Sequence, residues 1–130
     1  MRIVEPIESV KHDFFGVTLE IARAHSAAHM AKTRVAADKI RKGRSEIELD
    51  AADYRQINAE SIPGTVLVGW EGFIIDGAEV PFSNENAQSL LEDDDFAYEF
   101  VMKHAMDQDQ FLARVNEDAK KKFSQVSNGN

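Results

Sequence analysis

The chain has 130 residues, a formal net charge of −8 and no cysteine. Its length suits one compact domain, and the lack of cysteine excludes a disulfide framework, a thiolate zinc site and a thiol nucleophile. The negative charge would repel a nucleic-acid duplex unless the basic residues formed a separate patch, and they cluster only partly, at residues 32–44 and 120–122. No apolar run approaches the roughly 20 residues that span a bilayer. We therefore expect a protein of the cell interior with no nucleic-acid or membrane partner.

The N-terminal third predicts a strand followed by a helix. Residues 17–23 alternate apolar and polar side chains, which is typical of a half-buried strand, although an early start of the next helix is the alternative. Ser26 is a candidate N-cap for a helix over residues 27–42, and Gly43 is a candidate C-terminal stop. The residues expected on the inward face of this helix are Ala27, Met30, Ala31, Val35 and Ile40.

The middle of the chain predicts a second helix and then an ambiguous segment. Asp50 is a plausible N-cap for a helix over residues 51–61, with Tyr54, Ile57 and Ile62 on one side. A Pro-Gly break follows, and residues 65–70 then fit either a second helical piece or a short buried strand. The apolar periodicity does not separate these two interpretations.

The clearest local signal is a short β-hairpin over residues 73–82. Asp76 and Gly77 stand between apolar runs, and this pair tolerates the positive φ angles of a tight hairpin turn. Pro81 restricts the second arm to an edge or to a strand end, because proline has no N–H to donate. Ser83 then predicts the N-cap of a helix that runs to about residue 92.

The C-terminal part predicts two more helices. Residues 93–95 are acidic, which suits a helix N-terminus, and the apolar side chains expected on the inward face of that helix are Phe96, Phe100, Val101, His104 and Ala105. A last helix is expected after Asp107, with Phe111, Leu112, Val115 and Ala119 inward. Residues 124–130 have little to bury and are expected to be disordered. Residues 1–123 are thus predicted to be one mainly α domain with a minor β element (α+β).

No group of side chains indicates catalysis, a metal or a cofactor. His25 and His29 are four residues apart, but a zincin-type site needs Glu after the first histidine and Ser26 stands there, so two surface histidines are expected. Residues 93–95 lack the central Gly and terminal Glu of a calcium loop. The serines and glycines do not stand in nucleophile-elbow or phosphate-loop spacing. We therefore expect a protein that is not an enzyme.

A more specific pattern is the order of residues between positions 66 and 87. An apolar run ends in Gly-Trp, a turn containing Asp-Gly follows, and an apolar-Pro-aromatic-Ser step leads into a helix. The residues in this order are Gly69, Trp70, Gly72, Asp76, Gly77, Val80, Pro81, Phe82, Ser83, Asn86 and Ala87. The segment resembles the tail assembly chaperones of long-tailed (siphophage-type) bacteriophages. The strand before residue 24 is also similar to the family's early strand, but His25-Ser26 stands where the family usually has a small polar residue.

The resemblance extends over residues 17–118 and implies a function. It implies a chaperone of the host cell cytoplasm that binds and solubilises the tape measure protein, the long helical chain that sets tail length, and that is absent from the mature virion. It also implies self-association into multimers and a longer form, made by ribosomal frameshifting, that recruits tail tube protein. The three lysines at residues 120–122 are a candidate slip site, because an adenine run can encode them.

The motif residues are expected to build the fold first and to present a partner surface second. Trp70 is a large anchor for the hairpin, and the glycines supply its turns. The alternative function is a small virion structural protein of the tail or head-tail connector, and a third is an acidic regulator that binds a host protein. The six residues selected for a role in partner binding or in the fold are Trp70, Gly72, Asp76, Gly77, Pro81 and Phe82.

Overall fold

The computed structural model describes residues 8–42, 48–107 and 110–111 of the chain. Within these residues it has four helices and five strands, which confirms the expected α+β class. None of the helices described is long and apolar enough to cross a membrane. In chain order the elements are β1 (Ser9–Phe14), β2 (Val17–Ala22), α1 (Ala27–Arg41), α2 (Ala51–Ser61), β3 (Leu67–Glu71), β4 (Ile74–Ile75), β5 (Ala78–Glu79), α3 (Asn84–Asp93) and α4 (Asp95–Met106).

An antiparallel sheet with the strand order β1-β2-β3 forms one side of the core. Phe15 (φ 48°) and Gly16 (φ 88°) form the two-residue turn that joins β1 to β2. Two successive positive φ angles match the twist of a hairpin. The sequence prediction missed β1 but placed β2 correctly. Residues 65–70 form a turn and then β3, so the strand interpretation of that segment is the correct one.

The main core lies between β2 and the two C-terminal helices. Leu19 and Ile21 of β2 are fully buried, as are Leu91 of α3 and Val101 of α4. Two backbone hydrogen bonds tie the end of β2 to its surroundings: the N–H of Ala22 donates to the carbonyl of Val66 (2.7 Å), and the N–H of Ala24 donates to the carbonyl of Ala105 (3.0 Å). A second, smaller cluster joins α1 to α2 through Ala36, Ala37 and Ile57.

The predicted helix caps are confirmed because each is a local interaction. Ser26 accepts a hydrogen bond from the N–H of His29, and Ser83 accepts one from the N–H of Asn86. Asp50 and Asp53 form a reciprocal capping box at the start of α2. Of the three acidic residues at positions 93–95, Asp94 is the N-cap of α4. Each cap of this kind contributes about 1 kcal/mol to stability.

Six predictions of inward-facing residues are wrong. Ala27, Met30 and Ala31 of α1 are exposed. Val35 of α1 is 65% exposed and Phe96 of α4 is 73% exposed, and Tyr54 of α2 is also exposed. Ile57, Val101 and Ala105 are buried, as predicted. The other buried positions hold small or polar residues, which are His29, Ala36 and Ala37 in α1, Asp53, Ala59 and Ser61 in α2, and Ala97 in α4. The reason is that the position of the neighbouring element, and not the size of the apolar side chain, decides which face is covered.

Several predictions fall outside the described residues. They are the stop at Gly43, the remainder of the last helix with Leu112, Val115 and Ala119, the lysines at 120–122 and the tail at 124–130. Phe111 lies within the described residues and is buried, as predicted.

Candidate protein-binding surface

The predicted hairpin is present and consists of β4 and β5. Ile74 pairs with Glu79, and Ile75 pairs with Ala78. The turn residues Asp76 and Gly77 have φ angles of 51° and 78°. Both are in the left-handed region, which is the turn geometry that the Asp-Gly pair favours. All residues from 74 to 79 are exposed, so the hairpin projects from the body of the protein.

The indole of Trp70 fixes the base of this hairpin. Its Nε1–H donates to the carbonyl of Val80 at 2.8 Å, and the N–H of Val80 donates to the carbonyl of Phe73 at 2.8 Å. The ring of Phe73 lies 4.9 Å from the indole ring, and the ring of Phe82 lies 5.0 Å away at an interplanar angle of 83°. The T-shaped contact with Phe82 is one that aromatic quadrupoles favour. The structure therefore brings Trp70 and Phe82 together at the base of the hairpin.

The other motif residues shape the entry to and exit from the hairpin. Gly72 has a φ of 76°, and a Cβ added there would lie 3.5 Å from the carbonyl oxygen of Gly16. Pro81 is exposed, and its carbonyl accepts a hydrogen bond from the side-chain amide of Asn86 at 2.9 Å. The backbone N–H of Asn86 also donates to the hydroxyl of Ser83. Asn86 therefore ties the segment after the hairpin to the first turn of α3. The six predicted residues thus belong to one local unit.

Apolar side chains are exposed at the same end of the molecule. Ile74 and Ile75 are 63% and 53% exposed, and Phe15, at the tip of the β1–β2 turn, is 87% exposed. The contact between Gly16 and Gly72 places this turn next to the base of the hairpin. We call the set of Phe15, Ile74 and Ile75 the apolar end. Large apolar side chains exposed at one end of a molecule are typical of a protein-binding surface.

Acidic side chains surround the apolar end. Asp13, Glu71, Asp76 and Glu79 are all exposed there. Lys11 forms an exposed ion pair with Glu71, with 3.5 Å between Nζ and Oε1. The local charge is therefore mainly negative, which favours a partner with basic residues beside its apolar face.

The sequence analysis missed two parts of this surface. Phe15 escaped attention because β1 was not predicted, although the alternation Val10-Lys11-His12-Asp13-Phe14 before Phe-Gly is a hairpin signal. Ile74 and Ile75 were assigned to a strand without a statement of exposure. Consecutive apolar residues in a two-stranded hairpin point to opposite faces, so at least one of them is left without a core to cover it.

The histidine pair at the start of α1 departs from expectation. His25 is exposed, but His29 is only 6% exposed, so the prediction of two surface histidines is wrong for His29. Nδ1 of His29 accepts a hydrogen bond from the N–H of His25 at 3.0 Å. In the part of the chain that the structure describes, no group of three or more His, Cys, Asp or Glu side chains is placed to hold a metal ion.

Comparison with known proteins identifies the origin of the chain. A family model described as YdaY prophage protein matches residues 11–122. The chain belongs to the YdaY prophage protein family. The matched region of this YdaY-family protein includes β2, β3, the hairpin and all four helices. No curated protein and no solved structure matches the chain. The phage origin that the resemblance implied is confirmed, and the specific role in tail assembly stays a prediction.

Proposed function

We propose that this YdaY-family protein is a tail assembly chaperone, which binds the tape measure protein and keeps it soluble while the tail forms. The observation that carries the proposal is the apolar end. It includes Ile74 and Ile75 of the β4–β5 hairpin, whose residue order resembles that of the chaperone family, and the protein is of phage origin. Four of the six motif residues then have distinct roles: Trp70 and Phe82 support the base of the hairpin, while Asp76 and Gly77 form its tip.

The apolar end suits the apolar face of an amphipathic helix. Such a helix presents side chains at intervals of three and four residues, which can cover exposed apolar side chains on one side of the hairpin. The exposed carboxylates around them would pair with lysines or arginines beside that face. The tape measure protein is expected to be long and helical, so it would offer many such segments.

Weak binding at each segment is sufficient in this mechanism. Copies that occupy neighbouring segments of one long chain, and that self-associate, gain affinity from their high effective concentration. The net charge of −8 keeps the loaded complex soluble. Arriving tail tube protein, recruited by a longer frameshifted form, would then displace the copies. We accordingly place the protein in the host cell cytoplasm and outside the mature virion.

Co-expression with the tape measure protein of the same genome tests the proposal. The wild-type chain is expected to bring the tape measure protein into the soluble fraction and to co-purify with it in many copies. The double variant Ile74→Thr/Ile75→Thr keeps β-branched residues in the hairpin but removes apolar surface, and should lower the co-purified amount at least about tenfold, since each buried large apolar side chain contributes roughly 1.5–3 kcal/mol.

Val35→Thr is the matched control. Val35 is 65% exposed but lies on α1, away from the hairpin, so its replacement should leave co-purification unchanged. A tape measure protein that stays insoluble with the wild-type chain would contradict the proposal. Stoichiometric amounts of the chain in purified particles would instead favour a structural subunit of the tail or head-tail connector.

A further inference from the structure

The four histidines of the chain stand in two pairs. His12 of β1 stacks on His104 of α4, with 4.0 Å between ring centroids and 29° between ring planes. His25 and His29 form the second pair, with ring centroids 5.8 Å apart. The first pair joins β1 to α4, whereas the second lies at the start of α1. A charge on either ring of a pair would be felt by the other.

Both pairs flank one backbone hydrogen bond. The N–H of Ala24 donates to the carbonyl of Ala105, and both residues are buried. Ala24 precedes His25, and Ala105 follows His104. This bond connects the turn before α1 to the last turn of α4. We call the two histidine pairs together with this bond the histidine joint.

The hydrogen bonds of His29 define its protonation. Because Nδ1 accepts the N–H of His25, Nδ1 carries no proton, and the neutral ring has its proton on Nε2. Nε2 is buried and has no hydrogen-bond partner among the described residues. The arrangement resembles a capping box, since Ser26 accepts the N–H of His29 while the ring of His29 accepts an N–H in return.

Acid would break this cap. A second proton on His29 must go to Nδ1, which then becomes a donor that faces the N–H of His25. Burial lowers the pKa of His29, and the neighbouring His25 lowers it further. The φ of His25 is 68°, a left-handed conformation that a non-glycine residue adopts at a cost. Loss of the bond to His29 would remove one of the contacts that hold it there.

In the His12–His104 stack, protonation of His104 is disfavoured in the same way as protonation of His29. Burial is the main cause that lowers the pKa of His104. The neighbouring His12 and Lys103 lower it further, whereas Asp107 raises it. The ring of Phe100 packs on His104 at 4.4 Å, which makes this side of the stack apolar. Nε2 of His12 is buried and has no hydrogen-bond partner among the described residues. A proton on either ring would therefore meet an apolar neighbour and a second imidazole.

We propose that the histidine joint is a pH-sensitive connection, which is closed while His29 and His104 are neutral and opens when they are protonated. Opening would free the start of α1 from the end of α4 and leave the sheet and the hairpin in place. The device is independent of the tape measure protein, so its failure would not affect the proposed function.

The direction of the pH dependence follows from the lowered pKa of His29 and His104. Their folded state disfavours the proton, whereas the unfolded chain takes it up near pH 6.5, the ordinary value for histidine. The stabilisation is complete above about pH 6.5 and is lost as the pH falls from there through the folded pKa values. Asp107 opposes this loss at His104, because its carboxylate raises the pKa of that ring.

Amide hydrogen exchange of the full chain between about pH 7.5 and pH 5.5 tests the joint, with each rate divided by that of the unstructured sequence at the same pH. Below about pH 6.5, protection of the Ala24 amide should fall by up to about tenfold per pH unit for each histidine involved. The amides of β2 should keep their protection. Parallel loss in β2 would overturn the proposal, because the whole core would then be the sensitive element.

Two substitutions remove the titration while they keep the contacts. His29→Gln retains an acceptor for the N–H of His25, and His104→Phe retains a ring against His12. The double variant should show no pH dependence at Ala24. His25→Asn is the control, since Asn tolerates positive φ and His29 remains. The proposal would be contradicted if protection of the Ala24 amide depended on pH in the double variant as strongly as in the wild type.

Direct titration of the imidazoles decides the matter if the double variant does not fold. In the wild-type chain, the NMR titration midpoints of His29 and His104 are expected below 6.5, the ordinary value. Midpoints at or above that value would overturn the proposal, because the folded joint would then accept protons as readily as the unfolded chain does.

Discussion

Trp70 connects two segments that are ten residues apart in the chain through one side-chain N–H. Its indole donates to the carbonyl of Val80 and packs between the rings of Phe73 and Phe82. The hydrogen bond and the ring contacts act at the same place but are separable by substitution. Phenylalanine keeps an aromatic ring, whereas alanine removes both.

We expect Trp70→Phe to lower the free energy of unfolding by about 1 kcal/mol, because the carbonyl of Val80 loses its donor. Trp70→Ala should cost about 3 kcal/mol, because the apolar contacts are lost as well. Chemical denaturation measures both. An unchanged midpoint for Trp70→Ala would show that the indole does not hold the hairpin, and would leave it a role in partner binding only.

At the scale of elements, Arg55 of α2 connects three helices. Its guanidinium forms an ion pair with Asp95, donates to the carbonyl of Leu91 at 3.2 Å and lies 4.7 Å from the ring centroid of Tyr98. A second link beside it runs from the side-chain amide of Asn58 to the hydroxyl of Tyr98 at 2.8 Å. These contacts fix α2 against the junction of α3 and α4.

We expect Arg55→Lys to lower the free energy of unfolding by about 1 kcal/mol, although the charge is kept, because an ammonium cannot reproduce the planar fork. Lys39→Ala is the matched control, since it removes an exposed ion pair with Glu60 and should change stability by less than about 0.5 kcal/mol. Thermal denaturation compares the two. Equal small effects would mean that the contacts of Arg55 are no stronger than an ordinary surface pair.

The sequence predicted the elements whose signals are local. Ser26, Asp50 and Ser83 cap helices through bonds to residues three positions on, and Asp76-Gly77 forms its own turn, so no distant contact was needed. The exposure of Phe96 could not be predicted in this way, since it depends on which face of α4 the sheet covers. Phe15 was missed for a related reason, because it becomes a surface feature only once β1 pairs with β2.

At the scale of the whole molecule, the core is divided unequally. The main cluster unites β2, β3, α3 and α4, and the second cluster consists of Ala36, Ala37 and Ile57 with Ile40 and Leu49 beside it. Two of its three buried side chains are alanines, which bury little apolar surface. The attachment of α1 to the rest of the protein is therefore expected to be weaker than the attachment of α4.

Hydrogen exchange under native conditions should show this difference. Amides in the middle of α1 are expected to exchange at least about tenfold faster than those of β2 and α4, because local opening needs less free energy where fewer apolar contacts are lost. Ile57→Val should increase exchange in α1 further and leave β2 unaffected, since Ile57 belongs to the second cluster. Equal protection in all three elements would mean that the two clusters unfold as one unit.

The hairpin also has a consequence for how such a protein changes over evolutionary time. The contacts that hold it involve Trp70, Phe73, Val80 and Phe82 at its base, whereas residues 74–79 are exposed. Mutations at the tip therefore cost the fold little, apart from those that disturb the turn at Asp76 and Gly77. The tip can therefore vary from one phage lineage to the next, while selection for folding acts on the residues beneath it.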